Sequence, residues 1–386
     1  MSAPLTILGT GMAGLGLARQ LRTLDSERPI TLITADSGDD YSKPLLSTGF
    51  AKRQPPERLA QRSALEVADQ LGAVVRTHTR VTAIDPESRT LWLDHEALPY
   101  SELVIATGAV PQPPMTIPDD LTAKVFTIND LDDYRAFYYA LTRLNRPARV
   151  AIVGSGLVGC EFSNDLAGGG HRVSVIAPEA TPLARLLPES LGQALADAMH
   201  EGGIELLMGR TLASLEDVGA GVGLALSDGR TLEADLVLVA TGLKPRVQLA
   251  AEANIETSAA GIHTDRYLRT SVPGIHALGD VACVDGVNAM HVQPLQACAK
   301  ALAATLAGNP TRVRYGPWPV LVKTPLCPVV ALPPARTPAR WRIEGESPDL
   351  TAMAEDEDGR LIGFALTGAC VRRKVELARA APALLV

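Results

Sequence analysis

The feature that most constrains this chain is a short apolar run ending in a glycine-spaced turn, and it occurs twice. At the start, Leu5-Thr6-Ile7-Leu8 runs into Gly9-Thr10-Gly11-Met12-Ala13-Gly14, followed by a helical stretch from Leu15 to Leu24. In mid-chain, Arg149-Val150-Ala151-Ile152-Val153 runs into Gly154-Ser155-Gly156-Leu157-Val158-Gly159, and a helix begins over Cys160 to Leu166. Each unit continues into a second strand, Ile30-Thr31-Leu32-Ile33 and Val173-Ser174-Val175-Ile176. In a GxGxxG turn the first glycine permits the tight bend. The second lets the backbone approach a pyrophosphate, and the third lets helix and strand pack closely. The helix N-terminus adds free N–H groups and a positive dipole end. One such turn can arise by chance; two, each between a strand and a helix, predict two dinucleotide sites. A redox reaction between two dinucleotides is the economical explanation.

With 386 residues the chain has room for two or three domains. Aromatic residues are only 4%, so Ala, Leu and Val fill most of the core, as in α/β folds. A net charge of −7 speaks against a general nucleic-acid role, which needs a basic face. Met1-Ser2-Ala3-Pro4 has no charged leader pattern, and no apolar run approaches the roughly 18 residues of a membrane span. A cytoplasmic protein, without nucleic-acid or membrane partners, is expected. Cys160, Cys283, Cys298, Cys327 and Cys370 form no CxxC or CxxxxC. That spacing opposes a disulfide framework, a metal site and a local redox dithiol.

Three further segments complete a pattern. Leu103 to Ile105 leads into Ala106-Thr107-Gly108, Leu236 to Val239 leads into Ala240-Thr241-Gly242, and Ile275 to Leu278 leads into Gly279-Asp280. The order GxGxxG, ATG, GxGxxG, ATG, GD resembles the pyridine-nucleotide-dependent flavoprotein reductases of the glutathione reductase fold, over about residues 5 to 325. The resemblance implies an α/β chain with two Rossmann-like dinucleotide-binding domains of the three-layer ββα type and a small C-terminal α+β domain. Residues 1–110 and 245–320 would bind FAD, 111–244 NAD(P)H, and 321–386 would form the C-terminal domain.

By the same resemblance, FAD would meet Gly9, Thr10, Gly11, Met12 and Gly14, then Thr34, Ala35 and Asp36 after the second strand. Val81 would meet the adenine, Ala106-Thr107-Gly108 would border the cofactor, and Asp280, after Gly279, would bond the ribitol. Val292, in Met290-His291-Val292-Gln293, would lie beside the isoalloxazine ring. The helix from about Pro294 to Leu306 would point its N-terminus at the flavin N1–O2 edge, where a positive dipole end favours anionic reduced flavin. Gly154, Gly156, Gly159 and Gly242 would border the nicotinamide dinucleotide, and Glu161 would hold its nicotinamide against the flavin.

Tyr41-Ser42-Lys43-Pro44-Leu45-Leu46-Ser47 resembles the RPxLS segment of ferredoxin and rubredoxin reductases, which puts Lys43 near flavin N5 with Pro44 beside it. Peroxidases and oxidases of the fold carry a redox Cys just after this Leu-Ser; here the place is Thr48. With no thiol to relay electrons, the flavin must deliver them itself, one at a time, which suits a small iron–sulfur-type acceptor. Within the family the likeness is nearest to the bacterial rubredoxin reductases. It rests on Asp40 to Pro44, Gln293 to Cys298, and Tyr315-Gly316-Pro317 through Val322 to Pro325. Lys323 would then also lie close to the flavin.

The expected reaction is hydride transfer from NADH to flavin N5, with Lys43 and Glu161 beside the reacting rings. Single electrons would pass on to rubredoxin, for alkane hydroxylation or oxygen detoxification. Ferredoxin or flavorubredoxin reductase is the enzymatic alternative; a slow flavin-binding regulatory protein is the alternative of another class. Ala177 stands where NAD-selective units place an acid, with Glu179 nearby and no arginine adjacent in sequence, so NADH is favoured over NADPH. Cations that could face an acidic carrier are Lys43, Lys300, Arg314, Lys323, Arg340 and Arg342. The short C-terminal piece reads as a small sheet: Pro328 to Leu332, Trp341 to Glu344, Leu350 to Glu355 and Leu361 to Thr367, with a closing helix. Its size favours a monomer.

Overall fold

The computed structural model describes residues 3–94 and 96–386. Its frame is a pair of five-stranded parallel sheets. The first has the strand order Ile275–Ala277, Glu102–Ile105, Leu5–Leu8, Ile30–Ile33, Val74–Arg76. The second has the order Val125–Phe126, Leu236–Val239, Arg149–Val153, Arg172–Ala177, Glu205–Met208. In each, a three-stranded antiparallel sheet is inserted, between the third and fourth strands in chain order at Val81–Pro99 and between the fourth and fifth at Leu212–Ala234. The two units are therefore topological twins of the three-layer type. They differ in where the outer strand originates: it returns late in the chain for the first sheet and arrives early for the second.

Buried parallel strands need apolar residues on both faces, and the central strands supply them. Leu5, Ile7, Leu32 and Leu103 are almost wholly excluded from solvent. The helix Met12–Leu24 covers this sheet with Leu15, Leu17 and Leu21, each contributing roughly 1.5–3 kcal/mol by burial. It starts at Met12 rather than at Leu15, because Gly11 takes the extended N-cap conformation. The helix Val292–Leu306 lies against it, with a Cβ at Gly16 falling 3.7 Å from that of Ala299. That helix begins two residues earlier than Pro294, proline being well tolerated in a first turn.

The helix Leu157–Gly168 of the second unit is different in kind. Gly159 through Leu166 are all buried, polar residues included. It is enclosed because the segment after Lys43 folds against it: Asp165 accepts the backbone N–H groups of Phe50 at 3.0 Å and Ala51 at 2.9 Å. Two strands, Ala109–Pro111 and Leu243–Pro245, pair antiparallel where the chain crosses between the units and back.

The C-terminal region is a five-stranded antiparallel sheet in the order Val320–Val322, Val329–Leu332, Leu361–Thr367, Asp349–Glu355, Arg340–Glu346, followed by the helix Lys374–Ala380. Four strands match the sequence expectation to within two residues at each end. The edge strand Val320–Val322 was not expected, being a three-residue apolar run between Pro319 and Lys323. Near the chain's end, Leu385 pairs with Tyr315, their N–H···O bonds being 2.8 and 3.1 Å.

Candidate functional site

The two glycine turns have almost the same geometry. Gly9 has φ +113° and Gly154 φ +112°, a region closed to other residues without strain. A Cβ at Gly9 would fall 2.3 Å from the Ala106 carbonyl oxygen, and one at Gly154 would fall 2.5 Å from that of Ala240. A Cβ at Gly14 would sit 1.9 Å from Gly9 O, and one at Gly159 would sit 2.0 Å from Gly154 O. The middle glycines behave oppositely: nothing lies within 4 Å of a Cβ at Gly11 or Gly156. Both also cap their helices without any side-chain hydrogen bond, leaving first-turn N–H groups for a ligand. Two open cradles facing helix N-termini fit two pyrophosphates.

Because the strands are parallel, the segments that follow them gather at one edge. At the first sheet this edge brings together Gly9-Thr10-Gly11-Met12, Thr34-Ala35-Asp36, Ala106-Thr107-Gly108 and Gly279-Asp280. The junctions are bonded: Gly9 N to Ile33 O at 2.8 Å, Ala106 N to Leu8 O at 2.8 Å, and Leu278 N to Ile105 O at 3.1 Å. A Cβ at Gly279 would meet that of Ala13 at 2.8 Å, so the GD turn lies on the first helix. Asp36 Oδ1 accepts the Thr34 hydroxyl at 2.6 Å and Gly38 N–H at 2.9 Å, which fixes this acid at the strand end. Val81 opens the antiparallel insert just beyond Thr79, whose N–H bonds Thr34 O. Val292 is the first residue of its helix and is half-buried. At the second sheet, Gly154 N bonds Ile176 O at 2.8 Å and Ala240 N bonds Val153 O at 2.7 Å, with Gly242 next in the crossing ribbon.

Three parts of the chain meet at Glu161. Its side chain is only 4% exposed, so its charge needs partners. The Ser47 hydroxyl donates to Oε2 at 2.7 Å, the Lys323 N–H donates to Oε1 at 3.0 Å, and the Lys323 ammonium pairs with Oε2. One carboxylate thus joins the turn after Lys43, the second glycine helix and the segment entering the C-terminal sheet. One turn along that helix, Asn164 Oδ1 accepts Leu326 N–H at 3.3 Å. Lys43 donates to Asn129 Oδ1 at 2.8 Å, and Asn129 in turn donates to Ala109 O at 3.1 Å. Burial holds the Lys43 ammonium below the ordinary lysine range, against the opposing pull of the Asp280 and Asp130 carboxylates.

Ser47, Asn129, Asn164 and Asp165 are contributors that sequence reading did not assign. Ser47 lay within the motif quoted for Lys43; the other three carry no local signal, since their partners are between 20 and 162 positions away.

Of the six candidate docking cations, four are already engaged. Lys43 is bonded to Asn129 and Lys323 to Glu161, and Arg340 and Arg342 both pair with Glu355. Lys300 and Arg314 are exposed and have no ion-pair partner among the described residues. All five cysteines are free. Burial pushes the Cys160 thiol up to about 12 and that of Cys298 up to about 11, so neither forms a thiolate near neutrality. Among the described residues no group of three or more His, Cys, Asp or Glu could hold a metal ion, and no helix is long and apolar enough to cross a membrane.

Residues 3–304 match the family model described as pyridine nucleotide-disulphide oxidoreductase, and the chain belongs to that family. Residues 312–381 match a second model, a rubredoxin binding C-terminal domain. The chain is 42% identical over 384 residues to the rubredoxin-NAD(+) reductase of Alcanivorax borkumensis, covering 99% of both sequences. It is 36% identical to the nitric oxide reductase FlRd-NAD(+) reductase of Vibrio vulnificus strain CMCP6, covering 98% of both. A solved ferredoxin reductase for the CYP199A2 system from Rhodopseudomonas palustris superposes with a TM-score of 0.87, at 26% identity and over 99% of this chain and 96% of that one.

Proposed function

We propose that this chain is an NADH-dependent FAD flavoprotein that takes a hydride from the nicotinamide and passes single electrons to rubredoxin. The observation that carries this reading is the pair of matched open cradles joined at Glu161 to a C-terminal region of rubredoxin-binding type. Bound FAD supplies hydride acceptance at N5 and one-electron release.

The protein's own share is binding, orientation and electrostatics. Residues 1–110 and 245–320 hold FAD through Gly9, Thr10, Gly11, Met12, Gly14, Thr34, Ala35, Asp36, Val81, Ala106, Thr107, Gly108, Gly279, Asp280 and Val292. Residues 111–244 hold the nicotinamide dinucleotide through Gly154, Gly156, Gly159 and Gly242. Glu161 orients the nicotinamide, and Ser47 and Lys323 fix the pose of its carboxylate. Lys43, with Pro44 setting its turn, places a buried cation beside the reacting rings. Residues 321–386 receive the carrier. Three of the six candidate cations are ion-paired within the fold and a fourth, Lys43, is bonded to Asn129, so apolar contact outweighs charge in docking at this small transient interface.

The test is to reduce the purified yellow protein with NADH in a stopped-flow instrument, then titrate it with rubredoxin and ferredoxin. Rapid bleaching with preferential reoxidation by rubredoxin is expected. A colourless protein that cannot be reconstituted with flavin would overturn the reading. The likeness to the Vibrio vulnificus relative supports flavorubredoxin as a second acceptor, and it belongs in the same titration.

A further inference from the structure

The adenosine end of the second cradle carries a cation that no linear motif announces. In both units a loop from further along the chain closes over the end of the second strand with two backbone bonds. In the first, Thr79 N–H bonds Thr34 O at 2.8 Å and His78 N–H bonds Asp36 O at 2.9 Å. In the second, Arg210 N–H bonds Ala177 O at 2.9 Å and Gly209 N–H bonds Glu179 O at 3.0 Å. Arg210 is thus the structural counterpart of Thr79, and Ala177 and Glu179 are the counterparts of Thr34 and Asp36. This corner of a dinucleotide fold discriminates a ribose 2′-hydroxyl from a 2′-phosphate, an acid favouring the first and an arginine the second.

We propose that Arg210 makes this corner receptive to a 2′-phosphate, so that NADPH as well as NADH binds the second cradle. The proposal rests on the reading of that cradle as the nicotinamide dinucleotide site. The guanidinium is held over the strand ends: Nη1 donates to Met208 O at 2.9 Å, and Nε donates to Asp228 Oδ2 at 2.6 Å. Met208 is the register partner of Ala177, so the cation lies at that strand's end. Its Nη2 has no partner among the described residues, and the side chain is 23% exposed, so donors remain for an incoming phosphate. Asp228 is shared with Arg230, at 3.4 Å, and does not neutralise the corner alone. Ala177 brings no negative charge where the acid of an NAD-selective unit would stand. Glu179 opposes the phosphate from two residues further on, and the two side chains together set the preference.

The experiment measures binding rather than turnover. Isothermal titration of the flavin-loaded protein with NAD⁺, NADP⁺, 5′-AMP and 2′,5′-ADP should show 2′,5′-ADP binding in addition to 5′-AMP. Arg210→Ala should lower the NADP⁺ to NAD⁺ affinity ratio by about ten-fold, the size of one charge-assisted hydrogen bond, with Arg210→Lys intermediate. Glu179→Gln should raise the same ratio. NAD⁺ binding by each variant reports that its fold is intact. Failure of wild type to bind 2′,5′-ADP, or an unchanged ratio in Arg210→Ala, would overturn the proposal. A loaded protein that binds neither NAD⁺ nor NADP⁺ would instead remove the underlying assignment of the cradle, and the proposal with it.

Discussion

The two dinucleotide units share a backbone and differ in their surroundings. Around Gly9–Gly14 and Gly154–Gly159 the conformations and the clashes that demand glycine agree closely, so the cradle is a local solution that any suitable strand–turn–helix sequence reproduces. The helices that leave the cradles share little. Met12–Leu24 buries one face and leaves residues such as Gln20 and Thr23 in solvent, as a helix at a domain surface does. In Leu157–Gly168 every residue from Gly159 through Leu166 is buried, and its polar residues reach into other parts of the chain: Glu161 to Ser47 and Lys323, Asn164 to Leu326, Asp165 to Phe50 and Ala51. The first cradle is equipped to bind, and the second to bind and to connect.

The comparison is broken most severely at the third glycines. Gly14→Ala and Gly159→Ala each place a methyl group about 2 Å from a backbone carbonyl that cannot move aside. Each should cost about 3 kcal/mol or more. Urea unfolding midpoints would show it, and if the two differ widely the cradles are not equivalent. The middle glycines separate binding from folding. Gly11→Val and Gly156→Val fill open space, so both proteins should fold. The first should emerge colourless, and the second yellow but reduced by NADH at least about 100-fold less readily, two charge-assisted phosphate bonds being lost. A yellow Gly11→Val protein would contradict the assignment of the first cradle to FAD.

A smaller effect is expected at the junction. Glu161→Ala should keep FAD and slow its reduction by NADH about ten-fold, the worth of one charge-assisted contact. Unchanged reduction kinetics would remove Glu161 from the nicotinamide site. The mildest expectation concerns pH. Burial depresses the Lys43 pKa, so its positive charge is fully present at low pH and is lost, as pH rises, earlier than in an exposed lysine. Flavin reduction should therefore decline on the alkaline side, and Lys43→Arg, which keeps its charge, should flatten that limb. An identical decline in the arginine variant would assign it to another group.

Much of this was legible before any coordinates. The glycine spacings, the strand–Gly-Asp ending and four of the five C-terminal strands follow from apolar runs and turn residues, which act over a few neighbours. What stayed hidden is non-local. Lys323 was placed near the flavin by resemblance alone, and only the fold shows it against Glu161, 162 positions away. Arg340 and Arg342 read as free cations, but the pairing of their strand with Asp349–Glu355 brings Glu355 to both. Arg210 sits 33 residues beyond Ala177, in the loop that follows the next strand of the sheet.

The sequence by itself determined two glycine turns between strand and helix and the absence of a closely spaced dithiol, because backbone conformation near a glycine is settled by steric contacts within a few residues. Only the tertiary structure decided which side chains face one another across units. Those contacts depend on how whole sheets and helices bury their apolar faces, and a linear pattern does not encode that geometry.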